Sequence, residues 1–126
     1  MTDEPIPPEL QDFILRYIDS VAQLEALLLL YWEKSTSWTA ARLSKRLYIR
    51  EGEAEGILAR LVADGFALGV EGRYSFSSKS SEQERLLDQL ANAYSTRLIP
   101  LTNLIHSKPA RIREFSDAFK IRKDRT

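Results

Sequence analysis

One segment near the N-terminus constrains the fold more than any other part of the sequence. Residues 21–34 are rich in leucine and aromatic residues, whose side chains would cover most of the circumference of a helix. Such a helix has to be buried on more than one side, because an ordinary surface helix keeps a polar face. We therefore expect a core helix here, covered by the preceding helix, by a partner chain or by both.

The preceding residues predict an amphipathic helix. Apolar residues recur at steps of three and four from Leu10 to Val21, and Pro8 suits the first position of the helix. Ser20 followed by Gln23 has the spacing of a capping box and predicts that a new helix begins there.

Residues 39–77 show a different pattern, in which two helices are followed by a hairpin. Thr39 can cap a short helix, and a further helix is expected over residues 51–63. Gly65 suits the left-handed position that follows the end of a helix. Beyond it, apolar residues alternate on either side of a two-residue turn at 71–72, which predicts a short β-hairpin.

The order of elements over residues 21–77, beginning with the leucine-rich helix, resembles the winged helix-turn-helix superfamily of bacterial-type transcriptional regulators. Leu58, Leu61, Gly65 and Phe66 carry the most specific part of the resemblance, because they match a pattern that leads into the wing in many such proteins. The resemblance implies a mainly α fold with a small β-hairpin, that is, a winged helix-turn-helix with flanking N- and C-terminal helices. Fold alone does not fix function, since winged helices also serve as dimerisation and protein-docking modules.

The chain is accordingly divided into three parts, whose charges differ. Eighteen acidic and eighteen basic residues give no net charge, with acids in excess at the front of the chain and bases at the back. The overall basic excess of most nucleic-acid binders is therefore missing. The parts are an N-terminal helical extension, the winged helix-turn-helix domain and a C-terminal helical, dimerising region with a basic tail, over residues 1–20, 21–78 and 79–126.

In DNA-binding members of the superfamily, the second helix of the pair enters the major groove. Here that helix carries three glutamates at the end that would approach the bases, which phosphates would repel. Acids in a first helical turn also complement the helix dipole, without any further role. Six basic residues are the candidate contacts with double-stranded DNA, namely Arg42, Lys45, Arg46, Arg50, Arg60 and Arg73. An ordinary solvated face explains these basic residues equally well.

Residues 81–105 predict a long helix, in which Ser81 and Glu84 form a capping box and Pro100 causes a kink or an interruption. Its apolar stripe is longer than a small winged core needs. The excess favours a homodimer, because twofold dimers are the commonest assemblies of soluble proteins. Alternatively, the flanking helices fold back on their own domain. The residues expected at the dimer interface are Leu87, Leu90, Tyr94, Leu98, Leu101 and Ile105.

The C-terminal residues 111–125 combine an apolar stripe with many bases. They are suited to a protein partner, to acidic lipid or to nucleic acid, and equally to packing as a terminal helix.

Nothing in the sequence indicates an enzyme, a metal site or a cofactor. There is no cysteine, and His106 is the only histidine, so neither a thiolate zinc site nor a histidine cluster can form. The acidic N-terminus does not resemble a signal peptide, and no apolar run approaches the length that spans a membrane. We therefore expect a cytoplasmic protein.

Two functions follow as hypotheses. The first is a dimeric DNA-binding transcriptional regulator. The second is a winged-helix module that binds a protein partner without binding DNA, which the smooth face around Gly52 and Gly56 favours.

Overall fold

The computed structural model describes residues 6–108, so that the predicted C-terminal segment 111–125 lies outside the described residues. The described chain is mainly helical, with one two-stranded antiparallel sheet, as the sequence predicts. In chain order, the elements are α1 (Pro8–Tyr17), α2 (Val21–Trp32), α3 (Ala40–Leu47), α4 (Glu51–Ala63), β1 (Ala67–Val70), β2 (Arg73–Phe76), α5 (Ser81–Thr96) and α6 (residues 98–108).

Three of the helices begin at a polar capping residue. The side-chain oxygens of Ser20, Thr39 and Ser80 each accept a hydrogen bond of 3.1 Å from the backbone N–H three residues further on. These bonds satisfy N–H groups that have no partner within the helix. The first two caps are the predicted ones, whereas α5 is capped by Ser80 and not by the predicted Ser81.

α2 is the buried central helix of the fold. Leu24, Leu27, Leu28 and Leu30 have no exposed surface, although they point in different directions around the helix. α2 packs against α3, α4, α5 and β2 of the same chain. Burial on more than one side is therefore confirmed, and elements that follow α2 supply part of its cover.

α4 ends in the way that the position of Gly65 predicts. Gly65 has a φ of 85°, and its N–H and that of Phe66 donate to the carbonyls of Val62 and Leu61 at 3.1 and 2.8 Å. These two bonds make a Schellman motif, which satisfies the last carbonyls of the helix. Phe66 is buried, with its ring centroid 5.7 Å from that of Phe13, so the start of the hairpin is fixed to α1.

The hairpin follows at once, with Gly69 of β1 opposite Tyr74 of β2. The backbone of Tyr74 also exchanges two hydrogen bonds of 2.7 Å with that of Trp38, which precedes α3. β2 thus lies between Trp38 and β1, and β1 is the outer strand.

The predicted long helix of residues 81–105 is two helices. The chain departs from helical geometry at Arg97, with φ −134° and ψ 45°, and α6 begins at the next residue. Pro100 lies in the first turn of α6, where a helix does not use the N–H group that proline lacks. Of the two effects predicted for Pro100, a kink or an interruption, the structure therefore shows the interruption.

The apolar stripe of these helices faces the interior of the single chain. Leu87, Leu90, Leu101 and Ile105 are at most 1% exposed, and Tyr94 and Leu98 are partly buried. The burial of these side chains therefore agrees with the alternative, in which the flanking helices fold back on their own domain. The four buried side chains are not available for the expected dimer interface, and one core joins residues from all six helices of the described chain.

Candidate nucleic-acid interface

Four of the six candidate cations lie on α3 and at the start of α4. Arg42, Lys45 and Arg46 are exposed on α3, and Arg50 is the exposed residue that precedes α4. No ion pair found within residues 6–108 involves any of the four. We call these four residues the cationic strip.

Two aromatic residues accompany the cationic strip. The Arg42 guanidinium lies 5.0 Å from the ring centroid of the buried Trp38, a cation–π contact that restrains the arginine. Tyr48, in the turn between α3 and α4, has a left-handed backbone (φ 58°) and is 95% exposed. Tyr48 is not among the site residues predicted from the sequence. The available signal was an aromatic residue between Arg46 and Arg50.

The exposed face of α4 is acidic and smooth, as predicted. Glu51, Glu53 and Glu55 are all exposed in its first two turns. Gly52 and Gly56 are exposed too, and no heavy atom outside the local helix lies within 4 Å of the place where a Cβ would be. This face is therefore accessible to a partner, but its charge is unfavourable to phosphates.

Arg60, the fifth candidate cation, is engaged within the protein. Its Nη1 lies 2.9 Å from Oδ2 of Asp19, and its Nε lies 2.8 Å from Oδ2 of Asp64. The hydrogen bond with Asp64, followed by the charge of Asp19, raises the pKa of Arg60. A guanidinium held by two carboxylates is poorly available to a phosphate.

Arg73, the sixth, is exposed at the start of β2, next to the turn of the hairpin. Glu71 and Gly72 in this turn have φ values of 52° and 77°, typical of the tight hairpin turn that suits twisted strands. Leu68 and Val70 on β1 are 62% and 71% exposed. The hairpin thus presents one cation and an apolar outer face.

The described residues contain no group of three or more histidine, cysteine or acidic side chains placed to hold a metal ion. Within residues 6–108, no helix has both the length and the apolar character needed to cross a membrane. Comparison with models of protein families, with curated protein sequences and with solved structures gave no match.

Proposed function

We propose that the chain is a winged-helix protein that binds double-stranded DNA, in the role of a transcriptional regulator. The observation that supports this most directly is the cationic strip, four exposed bases on α3 and at the start of α4 that have no ion-pair partner in the described chain. The order of elements supports it too, because a helix pair followed by a hairpin is the arrangement of DNA-binding winged helices.

The charges of the two helices favour one mode of binding. Four unpaired cations are suited to phosphates, whose contacts supply most non-specific affinity. The three exposed glutamates of α4 oppose deep insertion of its first turns between two phosphate backbones. We therefore propose that α3 and the α3–α4 turn contact the backbone, with low preference for sequence. Since the stripe expected at a dimer interface is buried, the proposal is made for the single chain.

Binding of a fluorescently labelled mixed-sequence duplex, followed by anisotropy, tests this proposal. For four phosphate contacts, the logarithm of the affinity should fall against that of the salt concentration with a slope of about −3 to −4. The double variant Arg42→Glu with Arg46→Glu should lose binding. The matched control is Arg16→Glu with Arg85→Glu, which makes the same charge change on α1 and α5 and should bind as the wild type does. Absence of duplex binding at low salt, or an equal loss in both variants, would refute the proposal.

A second candidate is a protein-docking module, which the exposed apolar side chains of the hairpin favour. Leu68 and Val70 are directed outward from β1, and Val62 of α4 is 37% exposed. Docking through these residues predicts a complex that persists at high salt. Leu68→Asp should abolish it, whereas the Arg42→Glu, Arg46→Glu variant should retain it. The opposite pattern would assign the interaction to the cationic strip.

A further inference from the structure

Glu25 is the only charged residue in α2, the most apolar helix of the protein. It is partly buried, and its single hydrogen-bond or ion-pair partner within residues 6–108 is Tyr94, whose hydroxyl donates to Oε2 at 3.2 Å. Burial, followed by the charge of Glu25, raises the pKa of Tyr94, so the phenol stays protonated as a donor. A carboxylate in this position has unused acceptor capacity, because a carboxylate can accept several hydrogen bonds.

The Glu25 carboxylate lines a cavity of about 210 Å³ between α2, α3 and α5. Leu29 and Leu47 form its aliphatic walls, and Trp32 and Tyr94 form its aromatic wall. The two rings meet at 63° with their centroids 6.3 Å apart, and Trp32 is 52% exposed. A half-exposed tryptophan beside a carboxylate is suited to a cationic ligand, since the face of an aromatic ring attracts positive charge.

Arg46 lines the same cavity. No ion pair joins it to Glu25 or to another acid within the described chain, although both border one small space. The cavity therefore presents one acidic and one basic group that form no ion pair with each other, together with apolar and aromatic walls.

We propose that this cavity binds a small zwitterion, namely a free amino acid with a short apolar side chain. The ammonium group of the ligand binds the Glu25 carboxylate and the rings of Trp32 and Tyr94. The carboxylate of the ligand binds the Arg46 guanidinium, whose planar set of N–H donors matches the two carboxylate oxygens. The side chain of the ligand packs on Leu29 and Leu47. The cavity is smaller than the roughly 300–1,000 Å³ of sites for drug-sized ligands, which favours a ligand of this size.

Binding of L-leucine, followed by tryptophan fluorescence, tests the site directly. The half-exposed Trp32 should report binding, and calorimetry of the wild type should give the same affinity. Isoamylamine lacks the carboxylate of leucine, and 4-methylpentanoate lacks its amine. Each should bind at least about tenfold more weakly than leucine, because each leaves one charged group of the site without a partner. No response to leucine, or equal binding of the three compounds, would overturn the proposal.

Two substitutions test which residue of the protein binds each charged group of the ligand. Glu25→Gln and Arg46→Gln should each weaken leucine binding by at least about tenfold. Glu33→Gln, just beyond the end of α2, and Arg16→Gln, on α1, remove the same charges outside the cavity and should leave leucine affinity unchanged. Thermal unfolding confirms that each variant folds. Folded Glu25→Gln and Arg46→Gln variants that bind leucine like the wild type would exclude the site.

A regulatory consequence rests on the proposed DNA binding, because Arg46 belongs to the cationic strip. Leucine at Arg46 competes with a phosphate, so saturating leucine should weaken duplex binding and reduce the magnitude of the salt slope by about 0.9. The leucine titration itself contains no DNA. If duplex binding fails while leucine still binds, only the proposed function is lost. If leucine fails to bind while the duplex binds normally, only the ligand site is lost.

Discussion

Tyr31 shows how a single side chain joins distant parts of this fold. Its hydroxyl donates to Oδ1 of Asp88 on α5, and its ring meets that of Phe76 at 65°, with centroids 5.2 Å apart. The ammonium group of Lys34 lies 4.5 Å from the same ring. Tyr31 is 9% exposed, so the end of α2, the hairpin and α5 are tied together within the core.

The titration of Tyr31 predicts a loss of stability in alkaline solution. Burial, followed by the hydrogen bond and the charge of Asp88, raises the pKa of Tyr31 from 10.0 to about 12. The folded protein thus keeps the phenol proton where the unfolded chain has lost it. This contribution to the free energy of unfolding is complete below pH 10 and is lost as the pH rises from about 10 to about 12.

Urea unfolding at about pH 9 and pH 11, on either side of the ordinary phenol pKa, measures this contribution. Tyr31→Phe should lower the free energy of unfolding by about 0.5–1.5 kcal/mol at the lower pH, because it removes one hydrogen bond. It should also remove part of the decrease between the two pH values. Tyr48→Phe, at an exposed tyrosine, is the control and should change neither. An unaltered pH dependence in Tyr31→Phe would contradict the assignment.

At the scale of the element, glycine residues lower the stability of α4. Two glycines stand within it, and Gly56 lies well inside the helix, where glycine costs about 1 kcal/mol relative to alanine. No atom outside the local helix lies within 4 Å of its missing Cβ. Packing within the chain therefore does not require a glycine at this position.

Gly56→Ala should raise the free energy of unfolding by about 0.5–1 kcal/mol, measured by urea unfolding. Gly72→Ala is the matched comparison, because space is open there too, but φ is 77°. It should lower the free energy of unfolding by about 1–2 kcal/mol, since alanine is strained in that conformation. A destabilised Gly56→Ala variant would show that the face of α4 is not free in the folded chain.

At the scale of the whole molecule, a chain of charges connects α6 with α4. The Lys108 ammonium, 8% exposed at the end of the described chain, lies 2.6 Å from Oδ1 of Asp19 and 3.1 Å from the carbonyl of Ile18. The other oxygen of Asp19 binds Arg60, which binds Asp64. The α1–α2 junction thus holds both α6 and α4.

The two ends of the Lys108–Asp19 pair should differ in cost when removed. Asp19→Ala leaves a buried ammonium with one carbonyl as its partner and should lower the free energy of unfolding by about 1–3 kcal/mol. Lys108→Met leaves a half-exposed carboxylate that still binds Arg60, and should cost less than about 1 kcal/mol. Equal losses in urea unfolding would show that the burial of Lys108 does not decide the energetics.

The sequence alone predicted most elements of the described chain, the exceptions being the division between α5 and α6 and the cap at Ser80. Helix periodicity, the caps Ser20 and Thr39 and the stop at Gly65 are local signals, because each depends on residues within one or two turns. The burial of α2 was also predictable, since its composition leaves no polar face. The same signals identified the exposed bases of α3 and the acids of α4.

Only the tertiary structure decided which partners these residues have. Apolar periodicity shows that a face is buried but not what covers it, so the stripe containing Leu87 fitted a dimer as well as the interior of one chain. Arg60 binds Asp19, 41 residues away, and Lys108 binds the same carboxylate across 89 residues. The cavity between Glu25 and Arg46 likewise exists only because α2, α3 and α5 meet. Contacts between residues so far apart depend on how the helices pack, which no local pattern in the chain encodes.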